Sequence, residues 1–312
     1  MKNKEKNFIS AVVYVHNDGE KLEGFLKELI HTLENNFEKS EIICVNDASG
    51  DSSVAAIKKA SAEAAHTTVS ILNMSYFHGV ELAMNAGVDL SIGDFVLEFD
   101  SAVFDYPVDT IMKVYYKSLE GYDIVSALPD KKERFSSRMF YRIFNRFTAL
   151  SYEMQTERFR VLSRRVINRI SSMNKTVPYR KAVYANCGLK TTGLKYEVTD
   201  RSQIREDKTE KRYRKNLAVD TLILFTEVGY SFSMCMTVLM MLVAAFVAVY
   251  AIVFYATNNP VQGWTTTILF MAFAFFGLFG ILTIVIKYLA ILVDLVFKRK
   301  HYSFESIEKL TK

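Results

Sequence analysis

Residues 41–64, EIICVNDASGDSSVAAIKKASAEA, carry the pattern that decides the fold. A β-branched run at 41–45 ends in a polar turn of small residues, and residues 52–64 then space apolar side chains as an amphipathic helix does. The same alternation extends outward over residues 1–204 and predicts an α/β domain built on a mainly parallel sheet. The predicted strands are 9–15, 41–45, 68–72, 94–99 and 122–126, and the predicted helices are 19–33, 52–64, 80–89 and 108–119.

The apolar residues are concentrated in one part of the chain. Half of the 312 residues are hydrophobic, and the mean hydropathy is +0.09, a composition that excludes disordered and collagen-like chains. Residues 228–286 contain no Asp, Glu, Lys, Arg or His. Because roughly 20 apolar helical residues cross a bilayer, this stretch predicts two transmembrane helices at 230–256 and 264–286. The alternative is a buried core hairpin of a soluble protein.

The charges that flank the apolar stretch predict its orientation. Residues 205–215 (REDKTEKRYRK) carry six cations against three anions, and residues 298–300 (KRK) follow the stretch. Positive flanks remain in the cytoplasm, so we expect both termini there. The net charge of +5 then suits anionic lipid better than nucleic acid. The predicted parts are an α/β domain at 1–204, a basic amphipathic juxtamembrane segment at 205–229, a transmembrane hairpin at 230–297 and a cytoplasmic tail at 298–312.

Two acidic turns follow predicted strands. Ligands of open α/β sheets bind at the carboxyl ends of the strands, and Asp47, in the turn at 46–51, could accept hydrogen bonds from a base or a ribose there. The alternative is that this turn only caps the next helix. Asp100 ends a second strand and Asp105 lies in the loop after it. Carboxylates together with a substrate diphosphate commonly hold Mg²⁺, so these two acids are candidate cation ligands.

In their order along the chain, these motifs resemble those of family 2 glycosyltransferases. Residues 13–18 (VYVHND) are similar to the family's opening strand, and residues 46–49 (NDAS) to its D-D-G-S turn. Residues 78–87 (HGVELAMNAG) are similar to its F-G-K-E...A-G segment, and residues 93–100 (GDFVLEFD) to its strand leading into D-x-D. Residues 159–165 (FRVLSRR) are similar to its F-R-L-x-x-R-R segment. Together with the two predicted membrane helices, the resemblance indicates the polyprenyl-phosphate branch. That branch includes dolichol-phosphate mannose synthase and bacterial polyprenyl-phosphate glucosyltransferases.

The resemblance implies a fold, a reaction and a set of site residues. The implied fold is a GT-A nucleotide-diphospho-sugar transferase domain, which is Rossmann-like. The implied reaction is an inverting transfer of a sugar from a UDP-linked donor onto polyprenyl phosphate, at the cytoplasmic face of a bacterial inner or plasma membrane. Mg²⁺ or Mn²⁺ is the implied cofactor, held by Asp100 with Asp105, and a homo-oligomer is left open. The implied nucleotide-binding residues are Asn17, Asp18, Asp47 and Gly79.

Two positions depart from the family pattern. Ala102 replaces the second acid of D-x-D, and Arg158 stands where the family has the acid that is often assigned as the base. Glu157, one residue earlier, is the candidate catalytic base. A phosphate monoester has a second pKa of about 6, so a lipid phosphate is already largely ionised at pH 7 and a strong base is not obligatory. The alternative function is a nucleotide-sugar-binding pseudoenzyme that acts as a membrane partner of another glycosyltransferase.

The acceptor side is predicted from arginines. Arg134, Arg138, Arg142 and Arg146 recur every four residues, so they lie on one face of a predicted helix. Such a helix suits a membrane surface, where Arg138 and Arg142 could receive the acceptor phosphate. The alternative is a solvated face whose aromatic residues pack on the core. Arg160 and Arg164 form a second candidate group for the same phosphate.

Overall fold

The computed structural model describes residues 4–130, 135–146, 154–172, 179–199 and 302–311, together with isolated positions between 216 and 292. The chain forms two compact units, Met1–Ala218 with Arg299–Lys312, and Val219–Lys298. The strands of the first unit are β1 (Ile9–Val15), β2 (Ser40–Asn46), β3 (Thr68–Met74), β4 (Phe95–Phe99), β5 (Ile124–Pro129), β6 (Phe159–Ser163), β7 (Thr191–Tyr196) and β8 (Phe304–Lys309). Its helices are α1 (Gly19–Asn36), α2 (Ser53–Ser61), α3 (Val80–Leu90), α4 (Asp109–Leu119), α5 (Phe135–Arg146), α6 (Arg164–Ser172) and α7 (Arg180–Asn186).

These strands form one mixed sheet in the order β7-β5-β6-β4-β1-β2-β3-β8. Strands β1 to β4 pair in parallel, as does β5 with β7. Strand β6 lies antiparallel between β4 and β5, and β8 lies antiparallel to β3. The predicted α/β domain on a mainly parallel sheet is therefore confirmed, with two antiparallel strands that the pattern did not predict.

The central strand β1 is buried on both faces of the sheet. Successive strand residues point to opposite faces, so Ala11 and Val13 pack in the core under α1, α2 and α4, whereas Val12 and Tyr14 pack in the core under α3, α6 and α7. This two-sided burial explains why the strand reads as a nearly continuous apolar run.

Helix α3 packs closely on the sheet at Gly87. A Cβ atom placed there would lie 2.4 Å from Val12 Cγ1 and 2.6 Å from Val45 Cγ2. Glycine therefore lets the helix approach β1 and β2.

The predicted elements between residues 9 and 126 agree with the structure. Strand β1 has the predicted bounds, and the other strands and helices there agree to within three residues at each end. The segment predicted as a cytoplasmic tail at 298–312 contributes a strand to this unit. Residues 304–309 form β8, where Ile307 pairs with Leu72 and Thr311 Oγ1 accepts a hydrogen bond from the Val69 amide at 2.8 Å.

The predicted transmembrane hairpin falls on a stretch of which the structure describes only isolated positions. Within the described part of the chain, no helix has both the length and the apolar character needed to cross a bilayer. The hairpin therefore stays a prediction from the sequence, and so does the juxtamembrane segment at 205–229.

Candidate active site

The carboxyl ends of β1, β2, β3 and β4 lie at one edge of the sheet, because these strands are parallel and in register. The loops that follow them, residues 16–18, 47–52, 75–79 and 100–108, meet at this edge, which we call the carboxyl edge. Open α/β sheets bind their ligands at such an edge. The structure thus brings the candidate nucleotide and cation residues to one side of the first unit.

The loops after β1 and β2 are joined by hydrogen bonds. The Asn17 amide donates to Ser49 Oγ at 3.1 Å, Asn17 Oδ1 accepts from the Gly50 amide at 2.9 Å, and the Asp18 amide donates to Ser53 Oγ at 3.0 Å. Asn17 has a φ of 56°, a conformation that asparagine adopts more readily than most residues. Asn17 is exposed and Asp18 is half-buried, so both lie at the surface of the carboxyl edge, where they were predicted to contact the nucleotide.

Asp47 is placed differently from the prediction. Its side chain is fully buried, and its carboxylate accepts hydrogen bonds from Tyr14 Oη at 3.0 Å and from the amides of His78 and Gly79 at 2.8 Å each. Gly79 has a φ of 82°, and its amide is directed at Asp47 rather than outward. A carboxylate at a helix N-terminus is stabilised by the helix dipole. In this arrangement, the Asp47 carboxylate holds the backbone of the loop that leads into α3.

Asp100 belongs to a group of charged side chains that are mostly buried. We call this group the charge cluster: Glu81, Glu98, Asp100, Arg160 and Arg180. Arg160 donates to Glu98 Oε2 at 3.1 Å and to Asp100 Oδ2 at 3.0 Å. Arg180 donates to Glu98 Oε1 at 3.0 Å, to Asp100 Oδ1 at 2.6 Å and to Glu81 Oε2 at 3.1 Å. Asp100 keeps 23% of its side chain exposed, whereas both arginine side chains are 1% exposed.

The two guanidinium groups control the ionisation of Asp100. Burial alone favours the neutral acid, but the positive charges of Arg180 and Arg160 outweigh this effect and hold the pKa of Asp100 well below its ordinary value. The carboxylate is thus ionised at neutral pH, and each of its two oxygens already accepts a hydrogen bond from an arginine.

Asp105 is directed away from Asp100 into a separate buried contact. Arg158 donates to both of its carboxylate oxygens, one of them at 2.8 Å through Nε, and Tyr196 Oη donates at 3.0 Å. Asp105 is 2% exposed. Arg158, which stands at the position of the family's acid, therefore serves as the counterion of Asp105.

These contacts do not fit the predicted cation site. Magnesium binds through carboxylates whose charge is available to it, but Asp100 and Asp105 are both neutralised by arginines, and Ala102 is buried in the core. Among the described residues, no three acidic, histidine or cysteine side chains are grouped as a metal site requires. The prediction of a Mg²⁺ or Mn²⁺ site at Asp100 and Asp105 is thus not supported by this donor set.

The structure separates Arg160 from Arg164, because the extended strand β6 lies between them. Arg160 lies opposite Glu98 near the carboxyl edge. Arg164 lies beyond the other end of β6, where it donates to the carbonyl of Gly93 at 2.8 Å. Four residues of strand span about 13 Å, so the two side chains do not meet at one phosphate. Arg160 is in addition enclosed by its carboxylate partners.

The arginines of α5 have the exposure that the sequence predicts. Arg138, Arg142 and Arg146 are exposed, while Phe144 on the same helix is fully buried. Arg134 lies outside the described residues. The helix therefore presents a basic face and packs an aromatic residue inward, which agrees both with a membrane-surface helix and with a solvated face that packs on the core.

Glu157, the candidate base, lies on the inner side of the charge cluster. Its carboxylate is 3.1 Å from Arg160 Nε, and its side chain is 7% exposed. It lines a small cavity together with Ser126, Lys181 and Tyr184. The cavity has room for about one water molecule, so it does not accommodate a sugar.

Sequence reasoning missed most of the charge cluster. Glu98 interrupts the apolar strand FVLEF and is fully buried. A buried carboxylate requires a partner, so this residue was the available signal that arginines would be found beside β4. One partner of Glu98 is Arg180, the first residue of α7. Tyr184, on the same helix, donates a hydrogen bond from its hydroxyl to Glu98 at 2.7 Å.

Known proteins resemble this chain in sequence. The family model described as "Glycosyl transferase family 2" matches residues 10–174. An uncharacterized glycosyltransferase of Synechocystis sp. is 29% identical over 226 residues, which are 70% of this chain and 69% of that protein. The bactoprenol glucosyl transferase of Shigella phage SfX is 27% identical over 199 residues, which are 62% of this chain and 64% of that protein.

One solved structure matches this chain at low sequence identity. The mannosyltransferase from Pyrobaculum calidifontis, in complex with GDP-Man and Mn²⁺, is 14% identical with a TM-score of 0.46, covering 89% of this chain and 88% of its own. The family model covers more than half of the present sequence and includes strands β1 to β6. The chain belongs to glycosyl transferase family 2 and is a glycosyltransferase.

Proposed function

We propose that this chain transfers a sugar from a UDP-linked donor onto polyprenyl phosphate at the cytoplasmic face of a membrane. The observation that carries the proposal is the similarity to the bactoprenol glucosyl transferase of phage SfX, because that protein is named for a polyprenyl lipid as its glucosyl acceptor. The uncharged residues 228–286 support it, since they can supply the membrane hairpin that a lipid acceptor calls for.

We assign the donor to the carboxyl edge and the acceptor to the basic face of α5. The donor nucleotide binds at the carboxyl edge against Asn17 and Asp18, with Asp100 at the opening of the charge cluster. The acceptor phosphate binds Arg138 and Arg142, whose guanidinium groups match phosphate oxygens in geometry and charge. Glu157 remains a candidate base, and its contact with Arg160 also assigns it a part in holding the charge cluster.

The proposed reaction is a single displacement. A phosphate oxygen of the lipid attacks the anomeric carbon and forms the new carbon–oxygen bond. The bond between that carbon and the donor diphosphate breaks, and the nucleoside diphosphate leaves with the electron pair. Because the lipid phosphate is already largely ionised at pH 7, the protein contributes mainly position and charge stabilisation.

The test is lipid labelling by membranes that contain the full chain. With polyprenyl phosphate and a panel of labelled UDP- and GDP-sugars, we expect an acid-labile product in the organic phase. In the double variant R138A/R142A, we expect the KM for polyprenyl phosphate to rise about tenfold or more, because each lost charged hydrogen bond is worth about 1.5–3 kcal/mol. The KM for the donor should not change.

The matched control is Arg169→Ala, which removes an exposed arginine from α6. Its KM for polyprenyl phosphate should equal that of the unchanged protein. A panel without any lipid product contradicts the proposed function. If this KM rises equally in the control and in the double variant, the proposed role of α5 is contradicted. The rest of the proposed function is not affected by that result.

A further inference from the structure

The part of the site that departs most from the expected chemistry is the opening of the charge cluster. Asp100 stands at the end of β4, where the family resemblance implies a cation that bridges the protein and the donor diphosphate. The structure gives each oxygen of this carboxylate a guanidinium partner, at 2.6 Å from Arg180 and at 3.0 Å from Arg160. The two arginines therefore contact the carboxylate oxygens that the implied cation would need as ligands.

The two arginines are fixed on their far side as well. Arg160 and Arg180 both hold Glu98, so that two carboxylates and two guanidinium groups form a closed ring. Arg180 is further held by Glu81, which accepts from its side chain at 3.1 Å and from its backbone amide at 2.8 Å. Both arginine side chains are 1% exposed, and these inner carboxylates hold each guanidinium group in place beside Asp100.

The neighbouring acids cannot replace Asp100 as cation ligands. Asp105 is enclosed by Arg158 and Tyr196, and the side chain at position 102 is a buried methyl group. The exposed part of Asp100 keeps further lone pairs, since a carboxylate offers about four acceptor sites. These remaining sites suit hydroxyl donors, which the ribose and the sugar of a nucleotide sugar both provide.

We infer that this chain binds its nucleotide-sugar donor without a divalent cation, and that Asp100, held by Arg160 and Arg180, accepts hydrogen bonds from donor hydroxyl groups. The inference rests on the proposed function, because it concerns the same donor. It replaces the implied metal at the end of β4 with a fixed pair of guanidinium groups, and it makes Asp100 a binding residue for the donor sugar or ribose.

The test measures donor affinity by calorimetry on the full chain in detergent, with either Mg²⁺ or EDTA in the buffer. The probes are UDP-glucose, UDP-N-acetylglucosamine and GDP-mannose. For the donor that binds, we expect the two buffers to give dissociation constants within about twofold of each other. Asp100→Asn should weaken binding by the same factor in both buffers. If Asp100 were a metal ligand, Asp100→Asn would weaken donor binding only in the buffer that contains Mg²⁺.

Mn²⁺ paramagnetic resonance gives a readout that does not depend on the donor. Titration of the full chain with Mn²⁺ should give the same bound fraction for the unchanged protein, for Asp100→Asn and for the control Asp109→Asn, whose side chain is 61% exposed on α4. Donor binding at least about tenfold tighter with Mg²⁺, or a bound Mn²⁺ that Asp100→Asn alone removes, overturns the inference and leaves the proposed function standing. No binding of any donor in either buffer overturns both.

Discussion

Replacing Glu98 by glutamine should lower the free energy of unfolding by about 3–5 kcal/mol, the range seen when one partner of a buried ion pair is removed. Glu98 is fully buried and accepts from Arg160, Arg180 and Tyr184. Glutamine has nearly the same shape, so the loss measures the charge. In this variant, the buried guanidinium groups of Arg160 and Arg180 would have one carboxylate fewer to compensate their positive charge. Denaturant or thermal unfolding of the full chain in detergent, followed by circular dichroism, measures the effect.

The matched control is a carboxylate on the surface. Glu120 pairs with Lys117, and its side chain is 57% exposed. Glu120→Gln should change the free energy of unfolding by less than about 1 kcal/mol, as exposed ion pairs do. Equal stabilities for the two variants would show that the charge cluster does not hold the end of β4 in place.

Replacing Asp47 by asparagine should cost about 2–4 kcal/mol, because hydrogen bonds to a charged group contribute about 1.5–3 kcal/mol each. The asparagine amide group would face one of three donors, Tyr14 Oη or the amides of His78 and Gly79. We expect those two amides to exchange faster with solvent, since the loop before α3 loses its anchor. Hydrogen exchange and thermal unfolding of the full chain measure both effects.

Asp109→Asn serves as the control for this change, because Asp109 pairs with Lys113 on an exposed helix face. It should leave the exchange of the His78 and Gly79 amides unaltered. If Asp47→Asn is as stable as this control, the carboxylate does not anchor the loop, and the direct nucleotide contact that the sequence predicts becomes the better interpretation of Asp47.

The parallel half of the sheet could be predicted from sequence because its strands carry their own pattern. Strand β1, for example, is a run of apolar and β-branched residues followed at once by a helix with an apolar face. The turns after β1, β2 and β4 were therefore placed correctly at one edge. What the pattern could not show is which way each polar side chain points, and Asp47 and Asp105 both turn inward.

The antiparallel strands were missed for a different reason. Strand β6 lies within a basic motif of the sequence, and its extended conformation places Arg160 and Arg164 near opposite ends of the strand. Strand β8 pairs with β3 across more than 220 residues of chain, a distance over which local periodicity carries no information. The partner of Glu98 was equally remote, because Arg180 is separated from it by 82 residues.

Hydrogen exchange of the full chain with and without the donor tests most directly whether the nucleotide sugar binds at the carboxyl edge. We predict slower exchange at residues 16–18, 47–52 and 100–108 when the donor is added, and unchanged exchange around Gly93 and Arg164 at the opposite edge. Slower exchange confined to that opposite edge, or to α5, would contradict it.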